Sequence, residues 1–487
     1  MTINFLGMEM AVIGVGLMLM LADLFVPVER RRLIGYAAVA LLGLFLVLSL
    51  SGNGSCSYFG TAFNGSFIND ALSLFFKRFF LLAAILVLLI AVEFSDRITA
   101  AAEYYSLIVF ALAGMLFAAS ANDFAMLFVS IELITITFYI LVSFQRSKVA
   151  SLEAGVKYLI LGALSSSFMV FGIALIWGTT GTMNFTELAA VAPQFVDSKI
   201  FLLGVLLVLV GLGFKIAAFP FQIWAPDVYQ GAPTPTTAFL AVGSKAAGIV
   251  LLLRVLFSAV PSITAHWGGL LMIISGITIL YGNLCALPQR NLKRLLGYSS
   301  IAHAGYLLLG VAALNASGQS AILYYLAGYL FTVLAGFLVI TLVLRHLDTE
   351  DISGLAGLNR RSPLLAATMT ISMVSLAGIP PLAGFFGKFL LLMAAVKAGQ
   401  DTGNHAYFYL VFIALAGVVI SLYYYFSVIR TIYWSKETKD LTAIELSGAA
   451  KVTAWICIAG IFWLGLFPTT VLNWANEAAA VFAVIPK

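Results

Sequence analysis

Residues 214–239 read FKIAAFPFQIWAPDVYQGAPTPTTAF, an apolar run interrupted by Pro220, Pro226, Pro233 and Pro235. Proline removes a backbone donor and clashes with the preceding helical turn, so this stretch predicts a membrane helix that is broken. Lipid cannot bond the backbone groups that a break exposes, and breaks are tolerated where they face protein or water. An ordinary proline kink is the alternative interpretation.

A second stretch, LAGIPPLAGFFGKF at 376–389, has the same character. It places Pro380 and Pro381 in an apolar run, and a lysine stands beside each break: Lys215 in the first stretch and Lys388 in the second. The two stretches lie about five predicted spans apart, which suggests two related halves. Transporters often use a pair of broken helices to build a site near the middle of the membrane.

The whole chain is too apolar for a soluble protein. Of its 487 residues, 62% are hydrophobic and 10% are charged, whereas soluble proteins carry roughly 25% charged residues. The net charge of +5 comes from basic residues scattered over short loops, which argues against a nucleic-acid surface. The cysteines Cys56, Cys285 and Cys457 lie far apart without a C-x-x-C spacing, so neither an iron–sulfur cluster nor a structural zinc site is indicated.

The hydrophobic pattern predicts an all-α, multi-spanning membrane protein with about fourteen transmembrane helices in one domain. Crossing the membrane takes roughly 20 apolar residues. The first apolar run is long enough and lacks a basic leader, so we interpret it as a permanent helix and not as a signal peptide. The predicted spans are 8–26, 33–51, 71–95, 101–120, 123–144, 154–178, 200–230 (broken), 235–257, 267–286, 297–315, 320–345, 363–398 (broken), 406–431 and 451–474.

Basic residues are concentrated in alternate loops, which sets the predicted orientation. With the N-terminus outside, the outside segments carry Lys199, Lys397 and Lys487, against sixteen Lys and Arg residues in the inside loops. This bias predicts an even number of spans, with both termini outside. The inside set is Arg30, Arg31, Arg32, Arg97, Arg146, Lys148, Arg290, Lys293, Arg294, Arg345, Arg360, Arg361, Arg430, Lys436, Lys439 and Lys451.

Seven basic residues remain inside the predicted spans, where each costs roughly 2.5–3.5 kcal/mol at a helix centre. Three of them, Lys77, Arg78 and Arg254, lie near helix ends and are interpreted as anchors. The first two are close enough to an end to snorkel to the membrane surface. The remaining four are Lys157, Lys215, Lys245 and Lys388.

Three of those four lysines are placed for function. Lys245 lies near the centre of its span, and Lys215 and Lys388 flank the two helix breaks. Lys157 is different, because Glu153 precedes it by four residues. A simple helical ion pair, worth roughly 0.2–0.5 kcal/mol, is therefore an open alternative to a functional role for Lys157.

One acid, Glu132, lies near the centre of a span, within FAMLFVSIELIT at 124–135. A lone carboxylate at that depth is either protonated or paired with a cation. A structural salt bridge is one interpretation. The functional interpretation is that the carboxylate controls whether a nearby lysine holds its proton, so that a row of lysines hands protons along the middle of the membrane through water.

Polar residues near these charges are suited to order such water. His303 is of interest because histidine titrates near neutral pH, and a role as a hydrogen-bonded packing residue is equally open. The other members of this polar set are Tyr139, Tyr158, Ser165, Ser166, Ser167 and Ser244.

The stretch at 214–239 resembles the hallmark segment of the antiporter-like membrane subunits of respiratory complex I, the proton-translocating NADH:quinone oxidoreductase. The context VSIELITI around Glu132 is similar to that family's glutamate-bearing fifth helix. GVKYLILGALSSS at 155–167, KRLLGYSSIAHAGY at 293–306 and the second broken stretch are also similar to family motifs. The resemblance covers nearly the whole chain.

Within that family the chain most resembles the N-type subunits. It ends after about fourteen predicted helices, without the long lateral helix of the L-type subunits. Lys245 stands where L- and M-type subunits are expected to carry a histidine, and Lys388 stands where M-type subunits are expected to carry a glutamate.

The resemblance implies two inverted five-helix repeats, helices 4–8 and 9–13, with helices 7 and 12 broken. The corresponding regions are three N-terminal helices in 1–100, a first repeat in 101–257, a second repeat in 267–431 and a C-terminal helix in 451–474. By the same resemblance, Glu132 and Lys215 form a coupling pair, Lys245 is the central connector and Lys388 is the distal proton site, with Lys157 and His303 as further relay candidates.

The resemblance also implies what surrounds this chain. No cofactor is expected in this subunit. NADH, FMN, iron–sulfur clusters and quinone are expected to bind elsewhere in the complex. The expected partners are another antiporter-like subunit, small membrane subunits and the lipid bilayer, with no nucleic acid. The expected location is the bacterial cytoplasmic membrane.

Two alternatives to a proton-translocating complex I subunit stay open. The chain is also compatible with a subunit of a multisubunit sodium/proton antiporter or of a membrane-bound hydrogenase, because both share this fold. A purely structural spacer in a membrane arm is the third interpretation.

Overall fold

The structure, a computed structural model, describes residues 6–51, 59–344, 350–435 and 442–483. Outside these ranges lie Cys56 and four basic residues of the orientation argument, namely Arg345, Lys436, Lys439 and Lys487. The described chain is mostly helical, which confirms the predicted fold class.

The described helices match all fourteen predicted spans. Twelve are long and apolar enough to cross a membrane, and α1 and α16 below are shorter apolar helices. The α-helices are α1 Gly7–Ala22, α2 Arg31–Leu50, α3 Ala71–Phe94, α4 Ala101–Ala119, α5 Phe124–Val142, α6 Val149–Thr180, α7 Phe185–Val191, α8 Lys199–Ile216, α9 Trp224–Gly231, α10 Thr234–Phe239, α11 Lys245–Arg254, α12 Thr264–Ala286, α13 Leu292–Ala312, α14 Ala316–Leu344, α15 Leu358–Arg361, α16 Pro363–Ala377, α17 Ala383–Thr402, α18 Ala406–Trp434, α19 Gly448–Leu466 and α20 Pro468–Ala479.

Two details differ from the predicted elements. The last predicted span, 451–474, is two helices, because Pro468 cannot continue α19 and instead begins α20. A short antiparallel hairpin, β1 Gly60–Ala62 and β2 Phe67–Asn69, follows α2 and has no counterpart in the sequence-based assignment.

The ends of the bundle are distinguished by their loops. The loop before α4 meets the loop after α5, where the Gln145 side chain donates to the Arg97 carbonyl at 3.2 Å. We call this end, with Arg97, Arg146 and Arg290 in its loops, the basic end. The β1–β2 hairpin lies at the opposite end, which we call the hairpin end, where it pairs with Ala121 beside α5.

The two halves of the bundle run in opposite directions. Successive spans alternate in direction, and the resemblance sets the ninth span, α12, against the fourth, α4. An offset of five spans therefore inverts the second half relative to the first. Each half contains a broken helix, α8–α9 in the first and α16–α17 in the second. The boundaries 101–257 and 267–431 stay a prediction.

The helices that carry the central residues are the most buried. Over its most apolar stretch the segment Thr234–Ala259, which contains α10 and α11, is 100% buried, and α13 is 94% buried. The corresponding values for α2 and α18 are 28% each, so these two helices lie at the periphery. Lys245 and His303 thus belong to the core of the bundle.

The first helix break is closed by protein groups, as expected of a break within a membrane. Ala217 ends α8 in the left-handed conformation, with φ 58. The Trp224 indole N–H donates to the Phe214 carbonyl at 2.9 Å. The Phe219 amide donates to Thr278 Oγ1 at 3.0 Å. Because α8 ends at Ile216 and α9 begins only at Trp224, the helix is interrupted and not simply kinked.

The second break has a comparable architecture. Gly378 ends α16 with φ 87, in the region that glycine adopts without a steric penalty. The Gly384 amide at the start of α17 donates to Ser375 Oγ at 3.2 Å. The short unwound segment between these helices leaves the C-terminal carbonyls of α16 facing the interior.

The predicted anchors are paired more deeply than expected. Lys77 does not snorkel: it is 3% exposed, and its ammonium lies 2.7 Å from the carboxylate of the fully buried Glu9. Arg254 is 1% exposed and binds Asp70 at 2.9 Å. Arg78 donates to a backbone carbonyl at the end of α2. Glu9 is a buried acid that the sequence does not single out, since it lies near the start of α1.

Candidate functional site

Lys215 lies in the last turn of α8, directly before the first break. It is 4% exposed, and its ammonium donates to Thr135 Oγ1 at 2.8 Å. A Cβ placed at Gly248 of α11 would lie 3.2 Å from the Lys215 side-chain stem, so the two helices touch here. The break therefore places this lysine between α5 and α11.

Glu132 lies on α5, three residues before Thr135. It is half-buried and accepts a hydrogen bond from Ser166 Oγ at 2.5 Å. Thr135, which binds Lys215, lies one turn further along the same helix, yet within the described ranges Glu132 forms no ion pair. The predicted pair is thus close but not in direct contact, and a structural salt bridge is not what holds Glu132.

Lys245 follows a π-helical turn, Leu240–Ser244, that joins α10 to α11. Single-turn π segments are rare and occur often at functional sites. Lys245 is 3% exposed, and its ammonium donates to the Ser300 carbonyl at 2.5 Å and to the Ser300 hydroxyl. It also lies 5.5 Å from the centre of the Tyr329 ring. No carboxylate of the described chain pairs with it.

The Ser300 hydroxyl is a junction of three elements. Besides Lys245 it binds Tyr229 of α9 at 3.0 Å, and it accepts a hydrogen bond from Tyr329 of α14 at 3.1 Å. Since α9 is the second part of the first broken helix, the Ser300 hydroxyl connects that helix to Lys245 through hydrogen bonds.

His303 lies one turn further along α13 and is 3% exposed. One ring nitrogen, Nδ1, bonds with the Tyr325 hydroxyl, and Nε2 lies 3.1 Å from the Tyr425 hydroxyl. The imidazole also packs against the rings of Tyr329 at 5.1 Å and Tyr306 at 6.2 Å, the two rings that lie beside the ammonium groups of Lys245 and Lys388. His303 is therefore hydrogen-bonded as a packing residue is, and one tyrosine ring separates it from each of two lysines.

Lys388 lies in the second turn of α17, after the second break, and is 4% exposed. Its ammonium donates to the Leu376 carbonyl at 2.8 Å and to the Ala377 carbonyl at 3.2 Å. Both carbonyls belong to the last turn of α16, where the helix dipole is negative. The ammonium also lies 5.1 Å from the centre of the Tyr306 ring.

Lys157 does not join this buried set. It is 43% exposed and binds Glu153 at 2.8 Å, the helical pair that its spacing suggests. It also binds Asp227 of α9 at 2.8 Å, and Asp227 in turn binds Arg294 at 2.5 Å. These four residues form a half-exposed ion-pair cluster toward the basic end.

Some polar residues proposed to order water lie beside the buried charges. The Tyr139 hydroxyl is buried without a hydrogen-bond partner in the described chain, and Glu132 acts on it electrostatically. Tyr158 packs edge-on against Tyr139 at 5.1 Å and approaches Ser244. Buried hydroxyls that protein atoms leave unbonded are typical positions for ordered water. Ser167, by contrast, is exposed and bonds to its own helix.

The charged side chains of this set are conspicuous in the sequence, whereas their neutral hydrogen-bond partners are not. The spacing of Ser300, His303 and Tyr306, three residues apart on one helix, was a usable signal for one shared face. Nothing comparable marks a partner contributed by another helix. The missed residues are Thr135, Tyr229, Ser300, Tyr306, Tyr325, Tyr329 and Tyr425.

The site therefore consists of protonatable side chains on five helices, α5, α8, α11, α13 and α17. We call Glu132, Lys215, Lys245, His303 and Lys388 the buried line. Its lysines are held by hydroxyl and carbonyl oxygens, which accept from an ammonium without neutralising it. Such an arrangement can take up and pass on protons. Among the described residues, no group of three or more His, Cys, Asp or Glu is placed to hold a metal ion.

Residues 121–414 match the family described as NADH:quinone oxidoreductase/Mrp antiporter, TM. A curated relative from Desulforamulus reducens, named NADH-quinone oxidoreductase subunit N, is 40% identical over 475 residues, which cover 97% of each chain.

Two solved structures share the architecture. A chain of respiratory complex I from Thermus thermophilus is 31% identical, with a TM-score of 0.80 over 96% of this chain and 99% of that one. A chain of an archaeal membrane-bound sulfane sulfur reductase is 25% identical, with a TM-score of 0.85 over 98% of each chain. The chain therefore belongs to the NADH:quinone oxidoreductase/Mrp antiporter transmembrane family, as its resemblance to N-type antiporter-like subunits predicts.

Proposed function

We propose that this chain is a proton-translocating membrane-arm subunit of an NADH:quinone oxidoreductase, driven by electron transfer elsewhere in the complex. The observation that carries the proposal is the placement of the His303 ring between Tyr329 and Tyr306, 5.1 and 6.2 Å from their ring centres. The ammonium groups of Lys245 and Lys388 lie 5.5 and 5.1 Å from the centres of the same two rings. His303 joins the central and the distal lysine in one buried polar path. The full-length similarity to subunit N supports the choice of complex.

In this proposal Glu132 and Lys215 form the coupling pair. Because Lys215 is bonded to Thr135 and not to the carboxylate, a change in the charge or distance of Glu132 alters the Coulomb energy of Lys215 without breaking a salt bridge. The coupling step is therefore electrostatic. Water beside Tyr139 and Tyr158 is the proposed carrier of the proton leaving Lys215.

Lys245 is the proposed connector to the second half of the chain. Its proton passes to the hydroxyls gathered at Ser300 and then, through water, to His303, since each of these groups both donates and accepts hydrogen bonds. Lys388 is the proposed distal site. The C-terminal carbonyls of α16 stabilise its ammonium form until the proton leaves.

The redox chemistry is proposed to lie in other subunits, with NADH, FMN, iron–sulfur clusters and quinone bound there. The chain contributes to an enzyme complex but holds no redox site of its own in this proposal. Its proposed neighbours are another antiporter-like subunit and small membrane subunits, within the lipid bilayer and without nucleic acid.

The proposed location is the bacterial cytoplasmic membrane, with the basic end in the cytoplasm and both termini outside. The excess of Lys and Arg in the loops of the basic end supports this orientation.

A subunit of a sodium/proton antiporter or of a membrane-bound hydrogenase is the second candidate, because the family and the fold extend to complexes other than complex I. Purification from the native membrane separates these functions. Copurification of NADH-oxidising subunits supports the first, and their absence favours the second.

The relay is tested by Lys215→Met and Glu132→Gln in the assembled complex, with Lys199→Met as the matched control. Lys199 is an exposed lysine at the start of the same helix, α8. The measurement is the number of protons moved per NADH oxidised in inverted membrane vesicles. We expect both relay variants to lower this ratio and the control to keep it. An unchanged ratio in assembled Lys215→Met complex would show that the chain is a structural spacer.

A further inference from the structure

A cavity of about 1180 Å³ opens at the basic end, between the last turns of α18 and the loop that follows α12. None of the residues of the buried line is among its described lining residues, and the proposed relay does not use it. Arg290 and Arg430 line it, with Asp351 as the acid among the described lining residues.

The two arginines make the cavity a candidate site for an anion. Both are exposed, and neither guanidinium forms an ion pair or a side-chain hydrogen bond within residues 59–344 and 350–435. Other basic residues near this end are paired: Arg294, for example, binds Asp227. The described lining residues of the cavity therefore carry two positive charges and one negative charge.

Aromatic side chains of α18 line the lipid-facing side of the same cavity; we call them the aromatic wall. Tyr423 is 71% exposed, Phe426 46% and Trp434 70%. Their positions on α18, three to eleven residues apart, place them along the outward face of a peripheral helix. Tyrosine and tryptophan at such positions mark the boundary between headgroups and hydrocarbon.

We propose that this cavity binds an anionic phospholipid of the leaflet at the basic end, with Arg290 and Arg430 on its phosphate and the α18 aromatics against its glycerol and acyl chains. Basic pockets between transmembrane helices on the cytoplasmic side bind such headgroups. Assigning the lipid to the cytoplasmic leaflet rests on the proposed orientation, whereas the binding site itself does not.

A phospholipid fits this surface better than a covering protein helix. An apolar helix over the aromatics would desolvate two arginines without supplying a counter-charge, which is costly. A phospholipid brings an anionic phosphate and apolar chains in one molecule. It therefore satisfies the arginines and covers the aromatic wall together.

The test uses the complex purified from its native membrane, washed with detergent and analysed by native mass spectrometry. Arg290→Gln/Arg430→Gln is compared with Arg146→Gln/Arg360→Gln, which removes two exposed arginines of the same end that do not line the cavity. We expect loss of a tightly retained anionic phospholipid from the first variant and full retention in the control. Equal retention in the two variants overturns the proposal.

A second measurement does not depend on the stability of the arginine variants. A photo-crosslinking amino acid replaces Tyr423 in the otherwise unchanged complex. A crosslink to a phospholipid supports the proposal. A crosslink to another subunit shows that protein covers this wall and overturns the proposal, whatever the outcome for proton pumping.

Discussion

The Lys388 ammonium lies 2.8 Å from the Leu376 carbonyl oxygen. A lysine of α17, which follows the second break, therefore donates a hydrogen bond to the C-terminal end of α16, which precedes it. A helix end leaves its last carbonyls without intrahelical donors, and lipid supplies none. One lysine therefore satisfies the broken backbone and occupies the proposed distal proton site. The two roles predict two separate consequences of its removal.

Lys388→Met is expected to lower the number of protons moved per NADH oxidised several-fold, because methionine keeps much of the stem but carries no proton. It also leaves buried carbonyls without their donor, at about 1–3 kcal/mol per group. NADH-driven proton uptake and thermal dissociation of the purified complex measure the two effects. Lys397→Met is the control, since Lys397 is exposed further along the same helix. Equal pumping by both variants would place the distal site elsewhere.

Ser300→Ala is expected to slow pumping while electron transfer is retained. The substitution removes the hydroxyl that gathers Lys245, Tyr229 and Tyr329, but it keeps the backbone carbonyl that also binds the ammonium. Because the carbonyl still binds Lys245, we expect a partial loss of pumping and not a complete one. Ser106→Ala is the matched control, because Ser106 is equally buried but bonds only to its own helix at 3.0 Å. A loss of pumping no greater than that of the control argues against the junction.

The sequence predicts the span count, both breaks and the charged members of the buried line, because an ionisable side chain in an apolar run is conspicuous. It does not predict how those charges are held. Thr135 bonds Lys215 from eighty residues away, and nothing local marks it. Likewise, Glu9 lies close to a predicted helix end, and its ion pair with Lys77 of α3 becomes visible only in the folded bundle.

Thr135→Val is expected to weaken the coupling step, because it removes the hydroxyl that accepts from Lys215 while keeping the shape of the side chain. A buried ammonium that loses its acceptor costs about 1–3 kcal/mol. Thr135→Ser should restore pumping per electron, since it returns the hydroxyl. Thr137→Val serves as the control on the same helix, because the Thr137 hydroxyl bonds to the Leu133 carbonyl. Failure of the serine variant to rescue would point to packing and not to the hydrogen bond.

The Glu9–Lys77 pair is expected to matter for stability and not for pumping. Lys77→Met alone leaves a fully buried carboxylate unpaired, which costs about 3–5 kcal/mol. Glu9→Gln combined with Lys77→Met removes both charges and should recover much of that loss. Thermal dissociation of the complex measures stability, and protons per NADH should stay constant in assembled complex. A double variant less stable than Lys77→Met alone contradicts this account.

Asp227 is expected to position the first broken helix. It holds α9 to Arg294 of α13 and to Lys157 of α6, and Tyr229, two residues later, binds Ser300. Because Asp227 and Arg294 are each 30% exposed and Lys157 is 43% exposed, each charge removal should cost only about 1 kcal/mol after solvent screening.

A double-mutant cycle separates the Asp227–Arg294 contact from effects on either residue alone. Asp227→Asn, Arg294→Gln and their combination are compared for thermal stability and for protons per NADH. Residues in contact show coupling energies of about 0.5–3 kcal/mol, so the double variant should lose less than the sum of the single variants. Asp227→Asn with Arg360→Gln is the control cycle, since Arg360 lies outside the cluster and should act additively. Additive losses in the first cycle as well would mean that this ion pair does not hold α9 in place.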